Sequence, residues 1–198
     1  MGHRVPALLL AAGLSSRMGR TKQLLLLDDK PIIRHCVEAL IAAHVTDIVV
    51  VVNTAGERIT ETLSDLPVTV VVNDTPDSDM AESVRTGLAE LDNFSSGVLV
   101  CLSDHPLVDP LTIKRLMVAH DEAPDKIIIP CYEGRRGHPS LFPRTVLDEI
   151  FFGTTLRDII RSDDRRVLPL PVPDKGVVID IDTYKDYRNV VEMVVRKK

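Results

Sequence analysis

Near its N-terminus the chain runs Val5-Pro6-Ala7-Leu8-Leu9-Leu10-Ala11-Ala12-Gly13-Leu14-Ser15-Ser16-Arg17-Met18-Gly19-Arg20-Thr21-Lys22. Val5 to Leu10 is apolar without interruption, as expected of a strand covered on both faces. Gly13, two serines, Gly19 and the cations Arg17, Arg20 and Lys22 follow at once and read as a loop. After Leu10, the small residues Ala11, Ala12, Gly13 and Ser15 let the backbone approach a ligand, and successive amides there can point at phosphate oxygens. Arg17 and Lys22 are placed to neutralise a polyphosphate, the lysine as a mobile point charge. The spacing is neither that of a Walker P-loop nor the G-x-G-x-x-G dinucleotide fingerprint. The alternative is a basic surface loop without a ligand.

Outward from this stretch, short β-branched runs alternate with amphipathic helices. Helical spacing covers Pro31 to Ala43, Ala55 to Leu63 and Met80 to Leu91, and another helix is expected from Pro110 with Asp109 as its N-cap. Strands are expected at Asp47 to Val52, Val68 to Val72, Val98 to Leu102 and Lys126 to Pro130, the last opening into a turn at 133–137. A final helix from Thr183 carries Tyr184, Tyr187, Val190, Val191, Val194 and Val195 on one stripe. Such alternation implies an α/β fold: a three-layer, doubly wound, mainly parallel, Rossmann-like sheet. The chain reads as a single domain over 1–198, with the less regular segment around 127–172 as a candidate β-insertion.

Composition narrows the classes. Of 198 residues, 44% are hydrophobic and 27% charged, which suits a globular chain and excludes collagen-like or disordered ones. Lys and Arg number 24 against 29 Asp and Glu, a net charge of -5, so neither nucleic acid nor an anionic membrane is an expected partner. No apolar run is long enough to span a bilayer, and no leader pattern precedes the first strand, so the expected location is cytoplasmic. Cys36, Cys101 and Cys131 are widely spaced and read as buried, reduced thiols.

In a doubly wound sheet, ligands bind beyond the carboxyl ends of the strands, and three further polar clusters fall there. Asn73 to Gly87 opens a helix, with Asp79 as a candidate cap. Asp104, in Ser103-Asp104-His105-Pro106, can hold a hard cation through oxygen, since Mg²⁺ bridging phosphates needs few carboxylates; the alternative is a turn or capping Asp. Asp180 and Asp182, two apart on an expected strand, share a face and repel unless a cation lies near; the alternative is that Asp182 caps the last helix.

The pattern L-A-A-G-x-S-x-R-M-G-x-x-K at Leu10 to Lys22 resembles the N-terminal signature of the molybdopterin nucleotidyltransferases. These belong to a glycosyltransferase-A-like nucleotidyltransferase superfamily. The resemblance runs over nearly the whole chain and is nearest to the molybdenum cofactor cytidylyltransferase branch. It implies that Gly13, Arg17 and Lys22 wrap a triphosphate, and that Ala11-Ala12-Gly13, where guanylyltransferases show Ala-Gly-Gly, favours CTP. Asn73, Met80 and Ser83 would contact base and ribose, although Asp79 stands where Gly is usual. Asp104 would bind Mg²⁺ together with Asp182 and Asp180, and His105, in place of Gln or Met, would face cation or substrate unless it simply faces solvent. Gly134-Arg135-Arg136-Gly137-His138-Pro139 is similar to the acceptor-facing Gly-His-Pro of the branch, which implicates Arg136 and His138 with the acceptor phosphate; an exposed hairpin tip is the alternative. Gly153-Thr154-Thr155-Leu156-Arg157 retains little of the family's Gly-Asp-x-Gly-Ala-Arg.

The implied activity is Mg²⁺-dependent transfer of CMP from CTP to the phosphate of molybdopterin, with pyrophosphate released and a molybdoenzyme or its chaperone as a candidate partner. Two rivals are transfer to a sugar phosphate or other alcohol phosphate, and a non-catalytic nucleotide-binding escort for a molybdoenzyme.

Overall fold

The computed structural model describes residues 4–13, 21–75, 79–92 and 94–196. In chain order the strands are β1 (Ala7–Leu10), β2 (Leu26–Leu27), β3 (Lys30–Pro31), β4 (Ile48–Asn53), β5 (Thr69–Asn73), β6 (Gly97–Leu102), β7 (Ile127–Tyr132), β8 (Arg135–Arg136), β9 (Ser140–Pro143) and β10 (Val167–Pro171). The α-helices are α1 (Ile32–Ala42), α2 (Glu57–Thr62), α3 (Met80–Glu90), α4 (Pro110–Glu122), α5 (Arg144–Leu147), α6 (Leu156–Ser162) and α7 (Tyr184–Val195). Apart from the strand expected at 177–183, each element expected from periodicity is present within a few residues of its expected bounds.

The main sheet has the order β10-β7-β9-β6-β1-β4-β5, with β8 paired to β7. Pairings β1–β4, β4–β5, β1–β6 and β10–β7 are parallel, whereas β9 runs antiparallel to both β6 and β7. The chain moves from β1 outward through β4 and β5, then returns to place β6 on the other side of β1. Strand order therefore reverses at β1, and the loops after β1 and β6 diverge there to leave a crevice.

Why the strands read as unbroken apolar runs is plain from their two faces. Ala7, Leu9, Val50, Val52, Leu99 and Cys101 pack with α1 and α4 on one side. Leu8, Leu10, Val49, Val51, Val98 and Val100 pack with α3 and the α5–α6 region on the other. A third cluster joins Leu27, Ile32, Ile181 and Val190, fastening α7 over the β2–β3 hairpin. The expected α7 stripe is only partly covered: Val190 is buried, but Tyr184 and Val195 are exposed. This helix lies against a small two-stranded ribbon, which cannot cover a full stripe.

Two devices shape the edges. The β10 edge carries Pro169 and Pro171, which lack the N–H that another strand would need. The turn at Glu133-Gly134, with φ of 47° and 77°, lets β8 fold straight back on β7. All three cysteines are free thiols, Cys36 and Cys101 buried and Cys131 half-buried. Among the described residues, no helix is long and apolar enough to cross a membrane.

Helix α3 lies close on the sheet because Gly87 faces it: a Cβ there would come within 2.8 Å of Val51 Cγ2 and 2.9 Å of Leu8 Cδ2. Gly87→Val should lift the helix and cost about 1–3 kcal/mol by overpacking. Urea denaturation checks this, and an unchanged midpoint would refute the close-approach argument.

Candidate active site

The crevice at the strand-order reversal is a cleft of about 340 Å³ lined by Leu10, Ala12, Gly13, Lys22, Gln23, Asp79, Met80, Ser83, Leu102, Ser103 and Asp104. The end of β1 supplies one wall, the N-terminus of α3 the opposite wall, and the end of β6 the floor. Ala11 belongs to the scaffold, buried with its N–H donating to Val51 O at 2.8 Å. Ala12 O accepts from Asn53 Nδ2 at 2.9 Å, which anchors the start of the loop. A Cβ on Gly13 would meet nothing within 4 Å, so nothing in the described protein crowds that position. Ser15 and Arg17 lie outside the described residues.

On the α3 side, Asp79 is the N-cap: its carboxylate accepts from Glu82 N–H at 2.8 Å while the residue also lines the cleft. The carboxylate that departs from the family pattern thus holds the first turn of the helix. Asn73 is buried at the end of β5 and donates through Nδ2 to Ser83 Oγ at 3.1 Å. Ser83 and the half-exposed Met80 face the cleft, with Asn73 behind them.

The floor holds the densest charge. Lys22 Nζ donates to Asp104 Oδ2 at 2.7 Å and to Asp182 Oδ1 at 3.0 Å. Burial pulls the Lys22 pKa down, but the Asp104 carboxylate, and after it Asp182, outweigh this and raise it above the usual lysine value. Asp104 Oδ1 is buried with no hydrogen-bond partner among the described residues, and lies 3.7 Å from His105 Nε2. An orphaned carboxylate oxygen, beside a second carboxylate already sharing a cation, fits a hard divalent ion. Among the described residues, no group of three or more His, Cys, Asp or Glu side chains is arranged to hold a metal. An ion here would therefore draw on Asp104 and Asp182 and complete its shell with phosphate and water.

Asp104 also faces a second opening of about 350 Å³, with His105, Arg135, Arg136, His138, Asp180 and Asp182 on its walls. The expected strand at 177–183 is not formed. A 3-10 turn at Lys175–Val178 leads into extended chain, where Ile181 N–H donates to Asp104 O at 3.0 Å. Asp180 and Asp182 flank the buried Ile181 and line this same opening. The cap of α7 is Thr183 in a capping box with Asp186, which leaves Asp182 to Lys22. His105 is not solvent-facing: it is 9% exposed, its ring 5.1 Å from that of His138. Burial lowers the pKa of both. For His138, burial and then the neighbouring His105 bring it to about 4. Gly153 to Arg157 lines neither cleft; Thr155 caps α6 with Asp158.

Some contributors were not singled out from the sequence. Gln23 is buried, lines the cleft and donates to Ser103 Oγ at 3.4 Å. Asp174 Oδ2 accepts from Asp109 N–H at 2.8 Å and Thr112 Oγ1 at 2.9 Å, and its Oδ1 accepts from Gly176 N–H at 2.8 Å. Asp174 thereby ties the segment bearing Asp180 and Asp182 to the start of α4, just after the loop bearing Asp104. The Asp-x-Gly spacing at 174–176 was its only sequence signal.

Residues 7–167 match the family described as MobA-like NTP transferase domain, and the chain belongs to that family. It is 38% identical over 122 residues to the bifunctional protein GlmU of Symbiobacterium thermophilum, a stretch covering 60% of this chain and 26% of that protein. The chain spans about a quarter to a third of the length of the curated relatives it matches. The crystal structure of Rv0371c from Mycobacterium tuberculosis H37Rv is similar at TM-score 0.85 and 28% identity, over 97% of this chain and 99% of that one. A structure of Rv0371c in complex with manganese is similar at TM-score 0.81 and 26% identity, over 97% of this chain and 100% of that one.

Two outcomes follow from this geometry. The fold favours neutral His138, with a pKa near 4 against an ordinary 6.5. The unfolded chain therefore takes up a proton that the folded chain refuses as pH falls through this window, and stability declines by on the order of 3 kcal/mol. His138→Gln should flatten that decline in urea midpoints measured from pH 7 to 4; an unchanged slope would assign it elsewhere. Asp174→Ala should cost about 1–2 kcal/mol of stability and lower turnover more than nucleotide affinity, with Asp174→Asn recovering part of both. Equal losses from the Ala and Asn variants would contradict the carboxylate's bridging role.

Proposed function

We propose that this protein is a divalent-cation-dependent nucleotidyltransferase that transfers CMP from CTP to the phosphate of a molybdopterin-type acceptor. The observation that carries the reading is the Lys22 ammonium between Asp104 and Asp182, where the two clefts meet. The first cleft suits a nucleoside triphosphate: the amides after β1 and Lys22 face its phosphates, and Ser83 and Met80, backed by Asn73, face its base and ribose. Arg17, outside the described residues, joins Lys22 in this reading. The second cleft suits a phosphorylated acceptor held by Arg136, His138 and His105.

The acceptor phosphate oxygen attacks the α-phosphorus in line. A new P–O bond forms, the bond to the β-phosphate bridge breaks, and pyrophosphate leaves. A phosphate monoester is already anionic at neutral pH, so no strong general base is needed. Catalysis is then positioning and charge stabilisation by Lys22 and the loop amides. Bound by Asp104 and Asp182, with Asp180 close by, Mg²⁺ would neutralise charge on the triphosphate.

The CTP preference rests on Ala11-Ala12-Gly13, and the molybdopterin-type acceptor on the likeness of Gly137-His138-Pro139 to the cytidylyl branch. A cytoplasmic location, the whole chain acting as one catalytic domain, and delivery to a molybdoenzyme or its chaperone accompany this reading. A second acceptor, a sugar phosphate or other alcohol phosphate, is favoured by one observation. Gly153 to Arg157, where the family pattern departs most, is taken up by a turn and a helix cap away from both clefts.

Pyrophosphate release measured with CTP, GTP, ATP and UTP against a panel of phosphorylated acceptors tests both readings. CTP with molybdopterin should give the highest rate. Lys22→Ala should lower that rate by about 100-fold or more, and Asp104→Asn should shift the Mg²⁺ dependence to higher concentration. Absence of pyrophosphate release with every pair, or full activity in Lys22→Ala, would overturn the assignment.

A further inference from the structure

Lys22 stands where a cation bound to both carboxylates would have to stand. Its ammonium lies 2.7 Å from Asp104 Oδ2 and 3.0 Å from Asp182 Oδ1, while an octahedral Mg²⁺ needs its oxygens at about 2.0–2.1 Å. An ion bridging those two oxygens would occupy the space between them, beside an ammonium of like charge. Lysine and metal therefore exclude one another at this pair of carboxylates. The Lys22 and Asp104 side chains are 12% and 19% exposed, so bulk salt screens their contact weakly. A free cation must displace the ammonium from its charge-assisted hydrogen bonds to Asp104 and Asp182. A cation arriving on a triphosphate brings anionic oxygens into the adjoining cleft, where Lys22 also lines the wall.

Resting on the nucleotidyltransferase reading, we propose that Lys22 acts as a resident cation that keeps the Asp104–Asp182 pair closed to free metal until a cation–nucleoside triphosphate complex arrives. On that arrival the Lys22 ammonium would pass from the carboxylates to the phosphates and leave Asp104 and Asp182 to hold the metal. Lys22 thus has two successive partners, and the exchange couples metal entry to nucleotide entry.

The test is binding of free Mn²⁺ to the full chain, followed by electron paramagnetic resonance without nucleotide and then with CTP. Wild type should bind free Mn²⁺ weakly and tighten by about tenfold or more when CTP is added. Lys22→Ala and Lys22→Gln should each bind free Mn²⁺ about tenfold or more tightly than wild type. Adding Asp104→Asn to either should abolish that gain. Thermal melting guards against a folding artefact, because free Mn²⁺ should raise the melting temperature of the Lys22 variants more than that of wild type. If both Lys22 variants bind free Mn²⁺ no better than wild type, the exchange is overturned, whatever the enzyme's activity. If they bind it better but wild type binds no nucleotide with metal present, the competition stands, whereas the nucleotidyltransferase reading and the coupling to nucleotide entry resting on it fall.

Discussion

A single ammonium group lies between two carboxylates drawn from distant parts of the chain. Lys22 follows the first strand's loop, Asp104 follows the end of β6, and Asp182 precedes the last helix. Two carboxylates this close repel unless a cation lies between them, so the ion pairs decide whether these segments can meet. The surroundings are arranged to make them meet. Ile181 donates its N–H to Asp104 O, Asp174 staples the same segment to α4, and Ile181 and Val190 anchor α7 over the β2–β3 hairpin. The charge cluster is therefore also where the sheet and the C-terminal segment are joined.

The fold was legible because its signals are short-range. Runs such as Val49 to Val52 have no polar alternation, since α1 and α4 cover one face and α3 the other. Asp109 and Thr183 announce their helices by side chains that cap the first turn. The β-insertion was expected around 127–172, but β9 within it was not legible as a strand, because Ser140 to Pro143 is short, follows Pro139 and ends in Pro143, and pairs antiparallel with both β6 and β7. The same limit explains the mistaken strand at 177–183. Ile and Val alternate there with Asp as in a half-buried strand, yet Gly176 turns the chain and the segment finds no ladder.

At the site, residue types that carry charge could be picked out, but their partners could not. Nothing local ties Lys22 to Asp104 and Asp182; topology makes that connection. Gln23 looked like an ordinary polar residue after a lysine, and only burial against Ser103 gives it a place on the cleft wall. His105 was expected to face cation or substrate, with a solvent-facing ring as the alternative; packing of 137–138 and 176–178 over its turn encloses it and removes that alternative.

That packing depends on two glycines. A Cβ on Gly137 would collide with the Val177 carbonyl, and one on Gly176 with that of Leu107. Backbone therefore touches backbone behind the second opening, while the exposed side chains of Arg135 and Arg136 project from this frame. Drift in sequence is consequently channelled: the wall can be re-dressed to accept a different molecule while the frame that spaces the carboxylates stays fixed. One frame can thus carry differently shaped walls without moving the charges it spaces.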